Sequence, residues 1–193
     1  MGNDIKREDA WALLQEHVHT ANLIKHALAV EAVMRYFASQ LHEDVELWGV
    51  VGLCHDIDYE EYPEEHCMKA RDILEAAGWP ELLIRAIQSH GWGICSDVEP
   101  VSTMEKVLFT IDELTGLVIA AALVRPSKSL DDMKVKSVKK KWKSKGFSAG
   151  VDRSVIEHGA EMLDMELSEV IDWTIKGMRP VADQLGLVKS IAT

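Results

Sequence analysis

Hydrophobic residues recur at helical spacing along nearly the whole chain, and runs that alternate between apolar and polar residues are absent. The clearest stripe predicts a helix from about Thr20 to Leu41 and consists of Leu23, Ala27, Val30, Met34 and Phe37. Further helices are predicted over about 9–18, 45–55, 63–77, 80–90 and 103–125. The pattern therefore predicts an all-α fold.

Prolines, glycines and capping residues set the expected helix boundaries. Pro63 suits the first turn of a helix that runs to Ala77 and stops at Gly78. Thr103 is the expected cap of a long apolar helix, which should end before Pro126 because helices usually end ahead of a proline.

The C-terminal part of the chain continues the helical pattern. Ser129 and Asp132 resemble a capping box before a lysine-rich helix over 134–145, whose apolar stripe is Val135, Val138 and Trp142. A loop is expected over 146–150, and Asp152 and Ser168 are expected to start the last two helices. Without a linker, repeat or low-complexity tract, residues 1–193 are predicted to form a single helical domain.

Charge narrows the choice of partners. The net charge of -11 argues against a general nucleic-acid coat protein and against a stable nucleic-acid complex, since such binding needs a cationic surface. The window 125–145 is an exception, with nine Lys or Arg and two Asp. The N-terminal residues lack a signal-peptide pattern, and the longest apolar run, 116–124, is too short for a membrane span. A cytoplasmic location is therefore expected. The cysteines Cys54, Cys67 and Cys95 are interpreted as small buried side chains in preference to metal ligands.

Four ionisable residues stand on helix stripes that should face inward. They are His26, His66, His90 and Asp112. A carboxylate is costly to bury unless it is paired or bound to a metal. A shared metal site would satisfy all four side chains, so the pattern indicates metal binding.

An adjacent His55-Asp56 pair stands in the run GLCHDIDYEEYPEEH, some thirty residues after His26. A histidine on an early helix, a His-Asp pair and a later aspartate on an apolar helix resemble the HD superfamily of metal-dependent phosphohydrolases. In this chain these residues are His26, His55-Asp56 and Asp112, over roughly residues 20–120. The resemblance implies an HD-domain helical bundle.

Members of that superfamily with two metals carry two more histidines between the His-Asp pair and the last aspartate, and His66 and His90 stand at those positions. The resemblance implies that Asp56 bridges two divalent transition metal ions. The other implied ligands are His26, His55 and Asp112 for one ion and His66 and His90 for the other. Imidazole and carboxylate ligands suit Fe, Mn, Zn, Ni or Co alike. Such ions activate water and stabilise the attacking and leaving oxygens of a phosphoryl displacement.

The expected function is hydrolysis of a phosphate ester or anhydride in a small, nucleotide-like or phosphorylated molecule, with Asp56 and Asp58 as catalytic residues. Asp58 would orient water or act as a general acid. Arg125 and Lys128 are candidate ligands of the substrate phosphate, and the lysine-rich helix is either an electropositive wall or a solvated face. In the HD-GYP branch of the superfamily, which hydrolyses cyclic dinucleotides, the HD pair is followed by Ile, Gly and Lys. This chain reads HDIDY, and no GYP triplet follows, so the comparison with that branch argues against cyclic-dinucleotide hydrolysis. Two alternatives remain open, which are a di-iron oxygenase that uses the same ligands and a non-catalytic sensor that retains its metal.

Overall fold

Helices follow one another along the chain in the computed structural model, which describes residues 5–144 and 146–189. The α-helices are α1 (Arg7–His17), α2 (Ala21–Leu41), α3 (Val45–Cys54), α4 (Met68–Ala76), α5 (Glu81–Ser89), α6 (Thr103–Leu123), α7 (Val135–Trp142), α8 (Arg153–Met162), α9 (Leu167–Met178) and α10 (Ala182–Leu185). Short 3-10 turns span Pro63–Glu65 and Arg179–Val181. Within the described ranges there is no β-sheet, only one isolated bridge between Trp92 and Ser96. The all-α prediction is therefore confirmed.

Some sequence positions discussed above fall outside the described ranges. They are residues 1–4 of the N-terminal segment, Lys145 of the basic window and residues 190–193. Among the helices that the structure describes, none has the length and apolarity that crossing a membrane requires.

The two longest helices, α2 and α6, form the centre of the packing. Helix α2 lies against α3, α6 and α9, and α6 also contacts α5 and α8. Helix α3 is buried on all sides after its first turn, with every residue over 48–54 buried, as expected for a helix segment that is apolar all round. One hydrophobic core therefore includes residues of α1, α2, α3, α5, α6 and the C-terminal helices.

A buried carboxylate ties α1 to α2. Glu31 is only 4% exposed, and both of its oxygens accept hydrogen bonds from Arg7, at 2.7 and 2.9 Å. Arg35, one turn further along α2, donates to the same carboxylate at 2.9 Å. This buried charge is thus paired with two guanidinium groups, which supply the hydrogen bonds that a buried carboxylate needs.

The predicted helix over 63–77 is wrong in its first half. A 3-10 turn ends at Glu65, His66 has an extended backbone, and Cys67 has a φ of 67°, so α4 begins only at Met68. The buried Asp58 carboxylate accepts a hydrogen bond from the backbone N–H of Ala70, at 2.7 Å, in the first turn of α4. The start of α4 is therefore set by a side chain twelve residues earlier, and not by Pro63.

Three other predicted helix starts also differ. Ser102, not Thr103, caps α6, and it forms a capping box with Glu105. Ser129 and Asp132 do not form one, because the Ser129 hydroxyl accepts from the N–H of Asp131 and α7 begins later. Helix α9 begins one residue before Ser168, and the short helix α10 was not predicted. Asp152 does cap α8, accepting from the N–H of Ser154.

Close packing of α6 against α8 depends on Gly159. A Cβ atom at this position would lie 2.1 Å from the Thr110 hydroxyl oxygen and 3.0 Å from the Thr110 Cα. By contrast, a Cβ atom at Gly116, in the middle of α6, would meet no atom within 4 Å. Substitutions at these two glycines therefore distinguish the effect of steric packing from the effect of intrinsic helix propensity.

We expect Gly159→Ala to lower the free energy of unfolding by about 1–3 kcal/mol, because α6 and α8 must move apart. The control Gly116→Ala should raise it by about 0.5–1 kcal/mol, since alanine has the lower entropy cost in a helix. Urea unfolding followed by circular dichroism measures both. Equal stabilities of the two variants would contradict the close approach of α6 and α8.

Candidate metal centre

The first group of candidate ligands brings together α2, the end of α3 and α6. His26 Nε2 lies 3.1 Å from His55 Nε2 and 2.8 Å from Asp112 Oδ1. His55 Nε2 lies 3.3 Å from the same Asp112 oxygen. One oxygen of Asp56, Oδ2, completes the group at 3.4 Å from His55 Nε2 and 3.7 Å from His26 Nε2.

The second group uses the other oxygen of Asp56. His66 Nε2 and His90 Nε2 are 3.1 Å apart, and Asp56 Oδ1 lies 3.3 Å from the first and 3.4 Å from the second. The two oxygens of one carboxylate therefore face two different sets of imidazole nitrogens. This is the arrangement that a carboxylate bridging two ions requires.

The spacing of these atoms fits metal coordination. Two ligand atoms that each lie about 2.1 Å from one ion are about 3.0 Å apart at a right angle and about 3.4 Å apart at the tetrahedral angle. The contacts within the two groups run from 2.8 to 3.7 Å. The six side chains that the sequence nominated thus converge at coordination distances, although they come from five separate segments of the chain.

Backbone carbonyls orient two of the imidazoles. His55 is the C-cap of α3 and its Nδ1 faces the carbonyl oxygen of Gly52 at 2.9 Å; His90 is the C-cap of α5 and its Nδ1 faces that of Ile87 at 2.5 Å. A carbonyl can only accept, so each Nδ1 carries the proton and each Nε2 presents a lone pair. The negative ends of the α3 and α5 dipoles also favour a cation at this place.

Side chains orient the other two imidazoles. Asp58 Oδ1 accepts from His66 Nδ1 at 2.7 Å, while its second oxygen holds the N-terminus of α4. The hydroxyl oxygen of Thr115 lies 3.5 Å from His26 Nδ1. Because Asp58 is fully buried and both of its oxygens are occupied, its contacts are those of a group that positions His66.

Opposite charges at the centre shift the pKa values of His55, Asp56 and His66 away from their ordinary values. Burial alone would lower the pKa of His55, but the Asp56 and Asp112 carboxylates outweigh it and raise that pKa well above the ordinary value. Burial would raise the pKa of Asp56, but the surrounding imidazoles outweigh it and hold it well below the usual range. The pKa of His66 is raised in the same way, mainly by its hydrogen bond to Asp58 against the effect of burial. Cations would therefore compete with protons here, and acid should weaken metal binding.

The pKa of a neighbouring carboxyl group, that of Glu113, shifts in the direction opposite to that of Asp56. Burial, together with the adjacent Asp112 carboxylate, raises the pKa of Glu113 to about 7. Glu113 therefore lies beside the centre as a carboxyl that is only partly ionised at neutral pH.

Two cysteines that the sequence did not place at the site border the second group. Cys67 Sγ lies 3.9 Å from His90 Nε2 and 2.9 Å from Cys95 Sγ. His66, Cys67 and His90 together could hold one ion. The helix predicted over 63–77 would have directed Cys67 away from His66; only the backbone break at these residues brings both to the centre. Cys54 is fully buried, as expected for a small apolar side chain.

The candidate phosphate ligands do not reach the centre. Arg125 follows Asp112 by thirteen residues, or about 20 Å along the α6 axis. Its guanidinium donates to the carbonyls of Ser129 and Asp132 and pairs with the Asp132 carboxylate at 3.1 Å. Lys128 lies exposed in the same loop. The geometry therefore assigns Arg125 to holding the loop between α6 and α7.

The lysine-rich helix α7 covers a small part of the core. Val138 is fully buried, Val135 and Trp142 pack against the core, and the lysines lie on the solvent side. Lys139 donates to Ser168 on α9, at 2.6 Å. The solvated-face interpretation agrees with these contacts.

Glu60 and Glu61, the acidic residues that follow Asp58, stabilise the fold through contacts with the segment before α2. Glu60 accepts from the backbone N–H groups of His19 and Thr20, at 2.8 and 3.0 Å, and so caps α2. Glu61 lies 3.2 Å from His17. These contacts fix α2, which carries His26, against the segment that follows the His55-Asp56 pair.

An aromatic cavity adjoins the segments that carry two of the candidate ligands. It has a volume of about 380 Å³ and is lined by Trp92, Ile94, Phe109, Asp152, Ser154 and His158, among others. The rings of Trp92 and His158 are 5.9 Å apart and tilted by 34°. Phe109 precedes Asp112 by about one helical turn, and Trp92 follows His90 by two residues.

Comparison with known proteins agrees with this geometry. The family model described as "HD domain" matches residues 23–117. Ribonuclease Y of Desulfotalea psychrophila is 27% identical over 155 residues, which cover 75% of this chain and 29% of that protein. The chain thus corresponds to less than a third of the length of this relative. No solved structure matches the chain.

The family match begins just before His26 and ends just after Asp112, so the matched segment contains all six converging side chains. The family match and the distant relative together support membership of the chain in the HD superfamily.

Proposed function

We propose that this protein hydrolyses a phosphate ester or anhydride in a small phosphorylated or nucleotide-like molecule, using two divalent transition metal ions. The observation that carries the proposal is the Asp56 carboxylate, whose two oxygens face two separate groups of imidazole nitrogens. His26, His55 and Asp112 would hold one ion with Asp56, and His66 and His90 would hold the other. Bound in this way, the ions would supply an activated water and stabilisation of the phosphoryl oxygens.

The chain's own residues prepare the site before any ion binds. The Gly52 and Ile87 carbonyls and the Asp58 carboxylate each accept from an Nδ1, which leaves the Nε2 lone pairs of His55, His90 and His66 directed inward. We therefore assign Asp58 to positioning His66, in place of the proton-transfer role suggested by the sequence. Partners of this kind commonly contribute a factor of about 10–100 to metal affinity or activity.

A small substrate fits the surface better than a polymer does. Ribonuclease Y is by its name a nuclease, but this chain has a net charge of -11, and its basic window lies about 20 Å beyond Asp112. The aromatic cavity beside Phe109 and Trp92 is suited to a ring, since aromatic side chains stack on bases. We propose that the ring-bearing part of the substrate enters this cavity while its phosphate lies at the metals.

Elemental analysis of protein purified without chelators should give about two ions per chain. We expect Asp56→Ala to lose nearly all metal, His55→Ala to lose the first ion, and both variants to lose nearly all activity on a panel of nucleotides and sugar phosphates. His66→Ala and His90→Ala should retain about one ion, because the first group is intact. His42→Asn is the control, since His42 is exposed and asparagine tolerates its positive φ.

Full metal content in the Asp56→Ala protein would contradict the bridging assignment. Bound iron with substrate-dependent O₂ uptake, and no phosphate release from the panel, would replace hydrolysis by oxygenase chemistry.

Asp58→Asn should weaken binding of the second ion by about 10–100-fold and leave the first unchanged. An asparagine offers one acceptor and one donor, whereas His66 Nδ1 and the Ala70 N–H both need an acceptor. Metal titration measures the two affinities, with the exposed Asp72→Asn as control. If Asp58 only positions His66, excess metal should restore activity. Lost activity at full occupancy, with a changed pH profile, would instead support proton transfer by Asp58.

Trp92→Ala should raise KM about tenfold or more for substrates that contain a base, because stacking on an aromatic side chain contributes about 1–3 kcal/mol per base. Trp92→Phe should retain most of this binding. KM for a phosphate ester without a ring, such as glycerol phosphate, should not change in either variant. An equal loss for both substrates would place the ring-bearing part outside this cavity.

A further inference from the structure

The sulfurs of Cys67 and Cys95 are the closest pair of reactive side chains that the proposed hydrolysis does not use. Their Sγ atoms lie 2.9 Å apart, and a disulfide bond needs about 2.05 Å, so an approach of about 0.9 Å would suffice. Cys67 is fully buried, whereas Cys95 is partly exposed. One sulfur is thus within reach of a small oxidant and the other stands directly behind it.

The backbone holds both cysteines in place. The carbonyl oxygen of Gly91 accepts from the N–H groups of Ile94, Cys95 and Ser96, at 2.9–3.1 Å, which closes a tight turn around Cys95. Cys67 has a φ of 67°, a backbone conformation that is strained for a non-glycine residue. The buried Gln88 side chain donates to the carbonyl oxygen of Cys67, at 3.2 Å.

Gly91 provides the space in which the sulfurs meet. A Cβ atom at this position would lie 2.2 Å from Cys95 Sγ and 2.5 Å from Cys67 Sγ, so the two sulfurs occupy the place of a side chain. Gly91 directly follows His90, and Cys67 directly follows His66. The thiol pair therefore connects the two segments that carry the candidate ligands of the second ion.

We propose that Cys67 and Cys95 are a site of oxidative modification, at which a peroxide forms an intramolecular disulfide that weakens binding of the second ion. The Cys95 sulfur attacks one peroxide oxygen, the O–O bond breaks, and a sulfenic acid and one water result. The Cys67 sulfur then attacks the Cys95 sulfur, the S–S bond forms, the S–O bond breaks, and a second water leaves. The two thiols lose two electrons and two protons, and the peroxide is reduced to two waters.

The disulfide would weaken binding of the second ion because Cys67 lies close to the ligands of that ion. Cys67 Sγ lies 3.9 Å from His90 Nε2, and metal sites tolerate displacements of only about 0.2 Å. Drawing Cys67 toward Cys95 shifts the segment next to His66 by more than this tolerance. Formation of the disulfide is independent of the proposed function, whereas the effect on the ion rests on the proposed two-ion site.

The test uses the full chain, first reduced and stripped of metal, then treated with hydrogen peroxide. We expect two of the three cysteines to become resistant to alkylation, a mass loss of about 2 Da, and a peptide that joins Cys67 to Cys95. Cys54→Ala should behave in the same way, because Cys54 is buried away from the pair. Cys95→Ser should keep Cys67 reduced, while Cys67→Ser should trap the Cys95 sulfenic acid.

Reduction by a dithiol should reverse the mass change. Three free thiols after peroxide treatment, oxidation of Cys95 to a sulfinic acid with Cys67 still present, or disulfides between chains would each overturn the modification site. Failure of the metal proposal would leave these readouts untouched, since they use metal-free protein.

Metal titration then tests the regulatory step. The oxidised protein should bind the second ion about tenfold more weakly than the reduced protein, with the first ion unaffected. The Cys95→Ser protein should show no difference between peroxide-treated and untreated samples. Equal second-ion affinity in the oxidised and reduced parent would overturn the regulatory step.

Discussion

The structure depends on the mutual compensation of opposite charges inside an apolar helical bundle. Asp56 and Asp112 lie among four imidazoles, between helices whose other inward side chains are nearly all hydrocarbon. Burying a carboxylate is costly unless another charge or a metal compensates it. Glu31 illustrates the other solution, since two arginines pair with it directly. At the metal centre the compensating groups are imidazoles, whose protons a bound cation can replace.

The ends of α3 and α5 orient two of these imidazoles toward the centre. His55 and His90 each cap a helix, and each donates to a carbonyl three residues earlier, so a single local geometry occurs twice. It satisfies carbonyls that a helix end would otherwise leave unpaired, and it directs the ligand nitrogen inward. Stability and ligand geometry thus depend on the same hydrogen bonds, and a substitution that frays either helix end would also disturb the centre.

The segment between α3 and α4 is the least regular part of the centre. Asp58 connects His66 to the first turn of α4, and the backbone break at His66 and Cys67 turns both side chains toward His90. A continuous helix would carry these adjacent residues on different faces. The strained Cys67 therefore accompanies an arrangement that a regular element could not produce, as is common where backbone strain lies close to a functional site.

The helical class of the fold, the approximate range of most helices and the six converging side chains are all predicted from the sequence. Helical periodicity predicts which positions are buried, and ionisable residues on apolar stripes such as those of His26 and Asp112 need a shared partner. The His55-Asp56 pair is identified through the resemblance to the HD superfamily and not through periodicity. The break before α4, the burial of Asp58 and the contact of Cys67 with Cys95 could not be predicted in this way, since they depend on contacts between residues far apart in the chain. The same reason explains Arg125: nearness to Asp112 in sequence became a long separation once the helix between them formed, because a helix separates residues along its axis.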